Sequence, residues 1–309
     1  MGPHLLETDQ IRCYAEDGEE IPCSGTGQDA AFEKSSRLLQ GQRFEVLDRV
    51  VRDGFTGAVW TRDANPAEYP LTWQEALDFA MEMRKQSAHG YSDWQLPSRR
   101  LLFSLLSHQN VNPSLACGHP FENVFTGYYW TGDTCRRLPD QAWYGHMGGG
   151  RIHRGMKYGS YMVWPVSSPH KPETLPAGLD NDRFTVDGDY VYDARTRLTW
   201  HRNADFAGRR LTWQEALSRV QAFNSENNAD GQRWRLPNIR ELESLVDLGE
   251  HTPALPAGHP FLNVREAYWS STTSVYEPRY AWTLYSRDGF IGVGFKPRND
   301  FYAWPMKSG

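Results

Sequence analysis

The heptapeptide Leu71-Thr72-Trp73-Gln74-Glu75-Ala76-Leu77 returns unchanged as Leu211-Thr212-Trp213-Gln214-Glu215-Ala216-Leu217, 140 residues later. The same offset relates Arg43-Phe44 to Arg183-Phe184, Trp60 to Trp200, and Trp94-Gln95-Leu96-Pro97 to Trp234-Arg235-Leu236-Pro237. It also relates Gly118-His119-Pro120-Phe121 to Gly258-His259-Pro260-Phe261. The offset slips to 139 at Tyr129-Trp130 against Tyr268-Trp269 and at Ala142-Trp143 against Ala281-Trp282. It returns to 140 at Trp164-Pro165 against Trp304-Pro305, as when a surface loop loses a residue and regains it. An internal repeat of this length means the chain folds twice in the same way. Each copy is long enough to bury its own core.

This divides the chain into an N-terminal hairpin segment at 1–42, a first module at 43–167, a linker at 168–182 and a second module at 183–309. The linker, with Pro169, Pro172 and Pro176 among polar residues, reads as a semi-rigid spacer.

Each module opens with short strands. Tyr190-Val191-Tyr192 and Leu198-Thr199-Trp200 flank a polar turn, matched by Val50-Val51 and Ala58-Val59-Trp60. The shared heptapeptide starts a helix: Thr72 as N-cap with Glu75 three residues on makes a capping box, stapled by Leu71 onto Ala76. Thr212, Glu215, Leu211 and Ala216 repeat the device, so Glu75 and Glu215 are accounted for as helix initiators rather than catalysts. A second helix follows each Leu-Pro. Asn238 and Glu241 cap one, with Leu242, Leu245 and Val246 as its apolar stripe; Ser98 caps the other, with Leu102, Leu105 and Leu106. The last third is strand-like and closes on Trp-Pro. The expected class is α+β, each module with two helices and a small irregular antiparallel sheet.

Cys13 and Cys23 flank an Asp17-Gly18 turn, and Cys117 and Cys135 are also near in sequence. Four cysteines allow three pairings, and the two local ones, Cys13–Cys23 and Cys117–Cys135, are favoured. Disulfides imply an oxidising compartment. The residues Met1-Gly2-Pro3-His4 hold no apolar signal core, which leaves either a cytosolic chain or an extracytoplasmic one with its leader removed; the cysteines favour the second. No stretch approaches the roughly 18 apolar residues of a membrane span. A net charge of −5 argues against a nucleic-acid partner.

The order Leu-Thr-Trp-x-x-Ala, Trp-x-Leu-Pro, Glu-Leu-x-x-Leu, Tyr-Trp-Ser-Ser and closing Trp-Pro resembles the Lcl C-terminal domain family, named for the Legionella collagen-like adhesin. Copy 2 matches more closely, through Trp234–Asn238, Glu241–Asp247 and Tyr268-Trp269-Ser270-Ser271. Copy 1 departs at Arg100-Leu101 and at Trp130-Thr131-Gly132. The segment from Cys13-Tyr14 through Ile21-Pro22-Cys23 to Gly25-Thr26-Gly27-Gln28-Asp29 resembles a leader often seen in that family. The resemblance implies a C-type-lectin-like fold, shared distantly with formylglycine-generating domains, and secreted or surface proteins, some of them glycan-binding.

No enzyme constellation stands out. There is no Gly-x-Ser-x-Gly and no phosphate-binding Gly-Lys-Ser/Thr loop, and Gly148-Gly149-Gly150 has no accompanying lysine. Formylglycine-generating chemistry needs late cysteines, and the second half has none. No metal site is expected, since His146 and His153 are seven apart without an acidic partner. Where calcium-dependent lectins carry Glu-Pro-Asn, this chain has Glu277-Pro278-Arg279. No cofactor is implied, and calcium-independent binding is expected.

The stretch from Gln141 to Lys171 lacks Asp and Glu. It carries Arg151, Arg154, Lys157 and Lys171 with His146, His153 and His170, interleaved with Trp143, Tyr144, Tyr158 and Tyr161 and preceded by Arg136 and Arg137. Aromatics stack on sugars or cations, and arginines pair with carboxylate, sulfate or phosphate. The candidate ligand-binding residues of module 1 are therefore Trp143, Tyr144, His146, Arg151, His153, Arg154, Lys157 and Tyr158. Those of module 2 are Trp282, Tyr285, Arg287, Phe290, Lys296 and Arg298, in a late region of mixed charge. The function expected is a non-catalytic adhesin or lectin-like binder of a glycan or other anionic ligand. The alternatives are an assembly module for a protein partner and a degenerate formylglycine-generating-type enzyme.

Overall fold

The computed structural model describes residues 6–32, 43–168, 183–226 and 233–308. The chain forms two compact units, one of residues 35–174 and one of residues 1–34 with 175–309. Each is mixed α+β, mostly sheet, with four α-helices in all among the described residues.

In the first unit, Phe44–Leu47, Val50–Asp53 and Val59–Thr61 form an antiparallel meander. The closing strand Val166–Ser167 inserts between Val59–Thr61 and Trp94–Gln95, so the end of the module is tied to its start. A second meander runs Tyr128–Thr134, Gln141–His146, Arg151–Met156. Helix α1 (Trp73–Lys85) lies on one face of this meander, with Leu71, Ala76, Ala80, Leu96, Trp130, Ala142 and Val163 in a common core. Helix α2 (Arg99–Leu105) lies on the other, where Leu102 meets Gly145 so closely that a Cβ there would sit 2.7 Å from it.

The second unit repeats this. Phe184–Asp187, Tyr190–Asp193, Leu198–His201 and Met306–Ser308 form one sheet, and Ala267–Thr273, Tyr280–Tyr285 and Phe290–Phe295 the other meander. Helices α3 (Trp213–Glu226) and α4 (Ile239–Ser244) take the places of α1 and α2.

Local chemistry explains why the elements recur. Both bonds of the capping box are present at Thr72/Glu75 and Asn238/Glu241, Thr212 and Glu215 exchange the same pair, and Ser98 accepts from the Leu101 N–H. Buried tryptophans fasten the second meander to the segment that leads into the long helix through their indole N–H groups: Trp130 to Leu71 O and Trp269 to Leu211 O, both at 2.9 Å. Burying an indole costs little once its N–H is bonded. The repeated Arg-Phe pair is an ionic clasp. Arg43 chelates Asp53 and Arg183 chelates Asp193, and each guanidinium also donates to the last turn of the short helix, at Ser104 O and Ser244 O. A cation suits that end because the helix dipole is negative there.

The N-terminal segment belongs with the second module. Strands Cys13–Tyr14 and Glu20–Ile21 form a hairpin closed by the Cys13–Cys23 disulfide. Its flanks are tied to the module by Gln10, whose amide pairs both ways with the Thr273 backbone, and by Asn238, which donates to Leu6 O. Asp29 accepts from the Thr8 and Thr272 hydroxyls.

The expected Cys117–Cys135 disulfide is absent. Cys117 is an exposed thiol in the loop before His119-Pro120, and Cys135 is a buried one at the end of the strand Tyr128–Thr134. Proximity in sequence did not bring the two loops together. The linker residues 169–182, with His170 and Lys171, lie outside the described residues.

Candidate functional site

The sequence-derived candidates separate by the pleat of their strands. Neighbouring residues point to opposite faces, so Trp143 and Tyr144 cannot share a surface. Trp143 is 1% exposed beneath α2, with the Arg99 guanidinium 4.9 Å and that of Arg154 5.8 Å from its ring. Trp282, 2% exposed, is likewise core. Both tryptophans were expected at the ligand surface; both fill the interior instead.

Tyr144 faces the other way, into an aromatic group. Tyr128, Tyr144 and Tyr161 have ring centroids 4.8–5.3 Å apart, Tyr128 lies 4.9 Å from His146, and Tyr144 stacks on His153 at 5.7 Å. Cross-strand register makes the group, placing Tyr128 opposite His146 and His146 opposite Arg151. Tyr128 is 43% exposed and Arg151 is exposed at the rim. Burial pushes the Tyr144 hydroxyl up to about 12, so it remains protonated. Burial, and then Arg151, push the His146 pKa down, so the ring is neutral at pH 7. Its Nδ1 accepts from the Gly149 N–H, which leaves the ring proton on Nε2. The group is therefore an aromatic patch with tyrosine hydroxyls, a neutral His146 and an exposed arginine at its rim. Tyr158 stands apart, with its ring in water.

In the second module the corresponding meander holds an open pocket of about 440 Å³ lined by Tyr280, Tyr285, Val293, Gly294, Phe295, Arg298, Asp300 and Phe301. Tyr285 lies 5.0 Å from Phe290 and 5.7 Å from Phe301, and Tyr280 lies 5.3 Å from Phe295. Two glycines make room for these rings. A Cβ on Gly294 would fall 2.3 Å from Phe301, and one on Gly292 would fall 2.8 Å from Phe290. Arg298 and Asp300 are exposed at the edge. Burial, and then Asp300, raise the Tyr285 pKa, keeping that hydroxyl a donor. Tyr285 and Arg298 are thus brought together with Phe290 beside them. Arg287 is exposed but does not line the pocket.

Two lysines leave the expected surface. Lys296 is fully buried, with its ammonium 4.2 Å from the Trp213 ring and bonded to Tyr14 O and Ala15 O of the hairpin. Lys157 is half-buried, 4.2 Å from the Trp73 ring. The sequence reading missed Tyr128, Tyr280 and Phe301, because only strand pairing reveals that they join the others. Among the described residues no group of His, Cys, Asp and Glu is arranged to hold a metal ion.

No helix is long and apolar enough to cross a membrane among the described residues. No curated protein matches the chain in sequence. The Lcl C-terminal domain family matches twice, at residues 49–167 and 189–307, the same two stretches that fold alike. The chain therefore belongs to the Lcl C-terminal domain family, as two tandem copies of a domain that points to a cell-surface, adhesin-like module.

Proposed function

We propose that the protein is an extracytoplasmic, non-catalytic recognition protein of C-type-lectin-like fold that binds glycans on the aromatic faces of its second meanders. The pocket between Tyr285, Phe295 and Phe301, edged by Arg298 and Asp300, carries this reading. Apolar faces of sugar rings stack on such aromatic walls. A carboxylate accepts from sugar hydroxyls, and a guanidinium pairs in bidentate fashion with carboxylate or sulfate. The Tyr128–Tyr144–Tyr161 patch with Arg151 offers the same chemistry. The disulfide supports an oxidising compartment.

The test is binding of the full chain to neutral, acidic and sulfated glycans across a salt series. Tyr285→Ala is expected to weaken binding about tenfold, the value of one stacking contact. Arg298→Ala is expected to weaken only acidic ligands and to flatten their salt dependence. A folded sample that binds none of the glycans, or a Tyr285→Ala variant that binds as well as the parent, overturns the proposal.

A further inference from the structure

The hairpin on the second module marks a seat that the first module also possesses. In the second module Lys296 lies over Trp213, its carbonyl accepts from the Trp213 N–H at 3.0 Å, and the Trp213 indole donates to Ser270 O at 2.8 Å. In the first module Lys157 lies over Trp73 at the same 4.2 Å, with the same two bonds, to Lys157 O at 3.0 Å and Thr131 O at 2.8 Å. The occupied seat shows what it takes: the Lys296 ammonium donates to two successive carbonyls, Tyr14 O at 3.1 Å and Ala15 O at 3.2 Å, at the entry to a tight turn.

The first seat has no such occupant among the described residues of its module. The Lys157 ammonium has no hydrogen-bond acceptor there, and Trp73 and Leu77 are half-buried where Trp213 and Leu217 are buried. We infer that the Trp73–Lys157 seat is a docking site for a turn of a partner protein that presents two adjacent backbone carbonyls to Lys157.

The changes around the seat say which partner. Gln221, which donates to Gly25 O of the hairpin, is replaced in the first module by Met81, 47% exposed. Arg235, paired with Glu241 and stacked on Phe32 of the hairpin, is replaced by Gln95, and Glu241 by Leu101. The polar fastenings of the chain's own hairpin are gone, and that hairpin is already seated on Lys296 in each copy, so a second copy is not the occupant. The first seat suits a foreign turn with an apolar flank against Leu77 and Met81. This site is separate from the sheet pocket and goes beyond the glycan reading.

The probe is a synthetic peptide of residues 11–24 closed by its Cys13–Cys23 disulfide, which contains the turn without the flanking fastenings. It is titrated into the full chain while the Trp73 and Trp213 indole N–H signals are followed by NMR. The expected result is a saturable shift of Trp73 with a dissociation constant near ~1 mM. That constant should rise at least tenfold in Lys157→Met and severalfold in Met81→Lys, a change at an exposed position that leaves the fold intact. Lys296→Met should leave it unchanged. No Trp73 shift, a shift of Trp213 alone, or equal binding by Lys157→Met would overturn the inference. None of these outcomes bears on glycan binding by the same sample.

Discussion

The two modules solve one problem at the start of the short helix in different ways. In the first, Asp133 accepts directly from the Arg99 N–H. In the second, the Thr272 hydroxyl accepts from the Ile239 N–H and donates to the carboxylate of Asp29, a residue of the N-terminal segment. One module carries its acid within the repeat; the other borrows it from outside. The same division holds at the lysine-over-tryptophan seat, filled by the hairpin in the second module and without such an occupant among the described residues of the first. A duplicated core can keep its tryptophans and clasps while one surface is given to a built-in partner and the other is left for a different one.

If the borrowed acid holds the hairpin in place, Asp29→Ala should release it. The variant loses two hydrogen bonds to a buried carboxylate, each worth about 1.5–3 kcal/mol, so a loss of about 3–6 kcal/mol in hairpin protection is expected. Native-state hydrogen exchange at residues 13–28 reads this directly. Asp133→Ala should cost about half as much and loosen only α2. Unaltered hairpin exchange in Asp29→Ala would break the comparison.

Opening the covalent clasp is the next step down. Cys13→Ser with Cys23→Ser removes the loop closure, whose model-dependent value is about 2–3 kcal/mol. The N-terminal segment keeps the bonds of Gln10 to Thr273, of Asp29 to Thr272 and of the Tyr14 and Ala15 carbonyls to Lys296, so the expected outcome is faster exchange without loss of the docked form. A double variant whose Trp213 fluorescence becomes solvent-exposed would show that the disulfide, not the packing, keeps the seat covered.

How much of this could be read from the sequence follows from what kind of contact made it. The repeat, the capping boxes and the strand pairs are local or duplicated, and they stand in the structure as expected. The hairpin's docking was not legible, because residues 1–42 have no second copy to compare. Its bonds also run between side chains and backbone carbonyls more than 200 residues apart, as from Lys296 to Tyr14. Carbonyls leave no mark in a sequence. Lys296 therefore read as a surface cation. Trp143 is hidden for another reason: the density of aromatics carries no side information, and only the alternation along the strand sends Trp143 inward and Tyr144 outward. Period two, applied to Gln141–His146, separates them.

Lys296 gives the finest test of the contrast between seats. Burial pushes its pKa down from 10.5 to about 7, against the opposing pull of Glu16 and Asp17. Between pH 7 and 10.5 the unfolded chain binds a proton that the folded protein does not. Stability of the second unit should therefore rise with pH in that window, by up to about 1.4 kcal/mol per unit, and this dependence should vanish below pH 7. Lys296→Met removes the titrating group, so the slope should disappear from its urea midpoints while the parent retains it. Lys157→Met, where no carbonyls receive the ammonium, is the matched control and should leave the slope in place. A parent protein with the same slope as Lys296→Met would mean that the buried ammonium stays charged under the hairpin. The two carbonyls would then compensate its desolvation fully, and the open seat over Trp73 would be expected to grip a turn more tightly than the millimolar range.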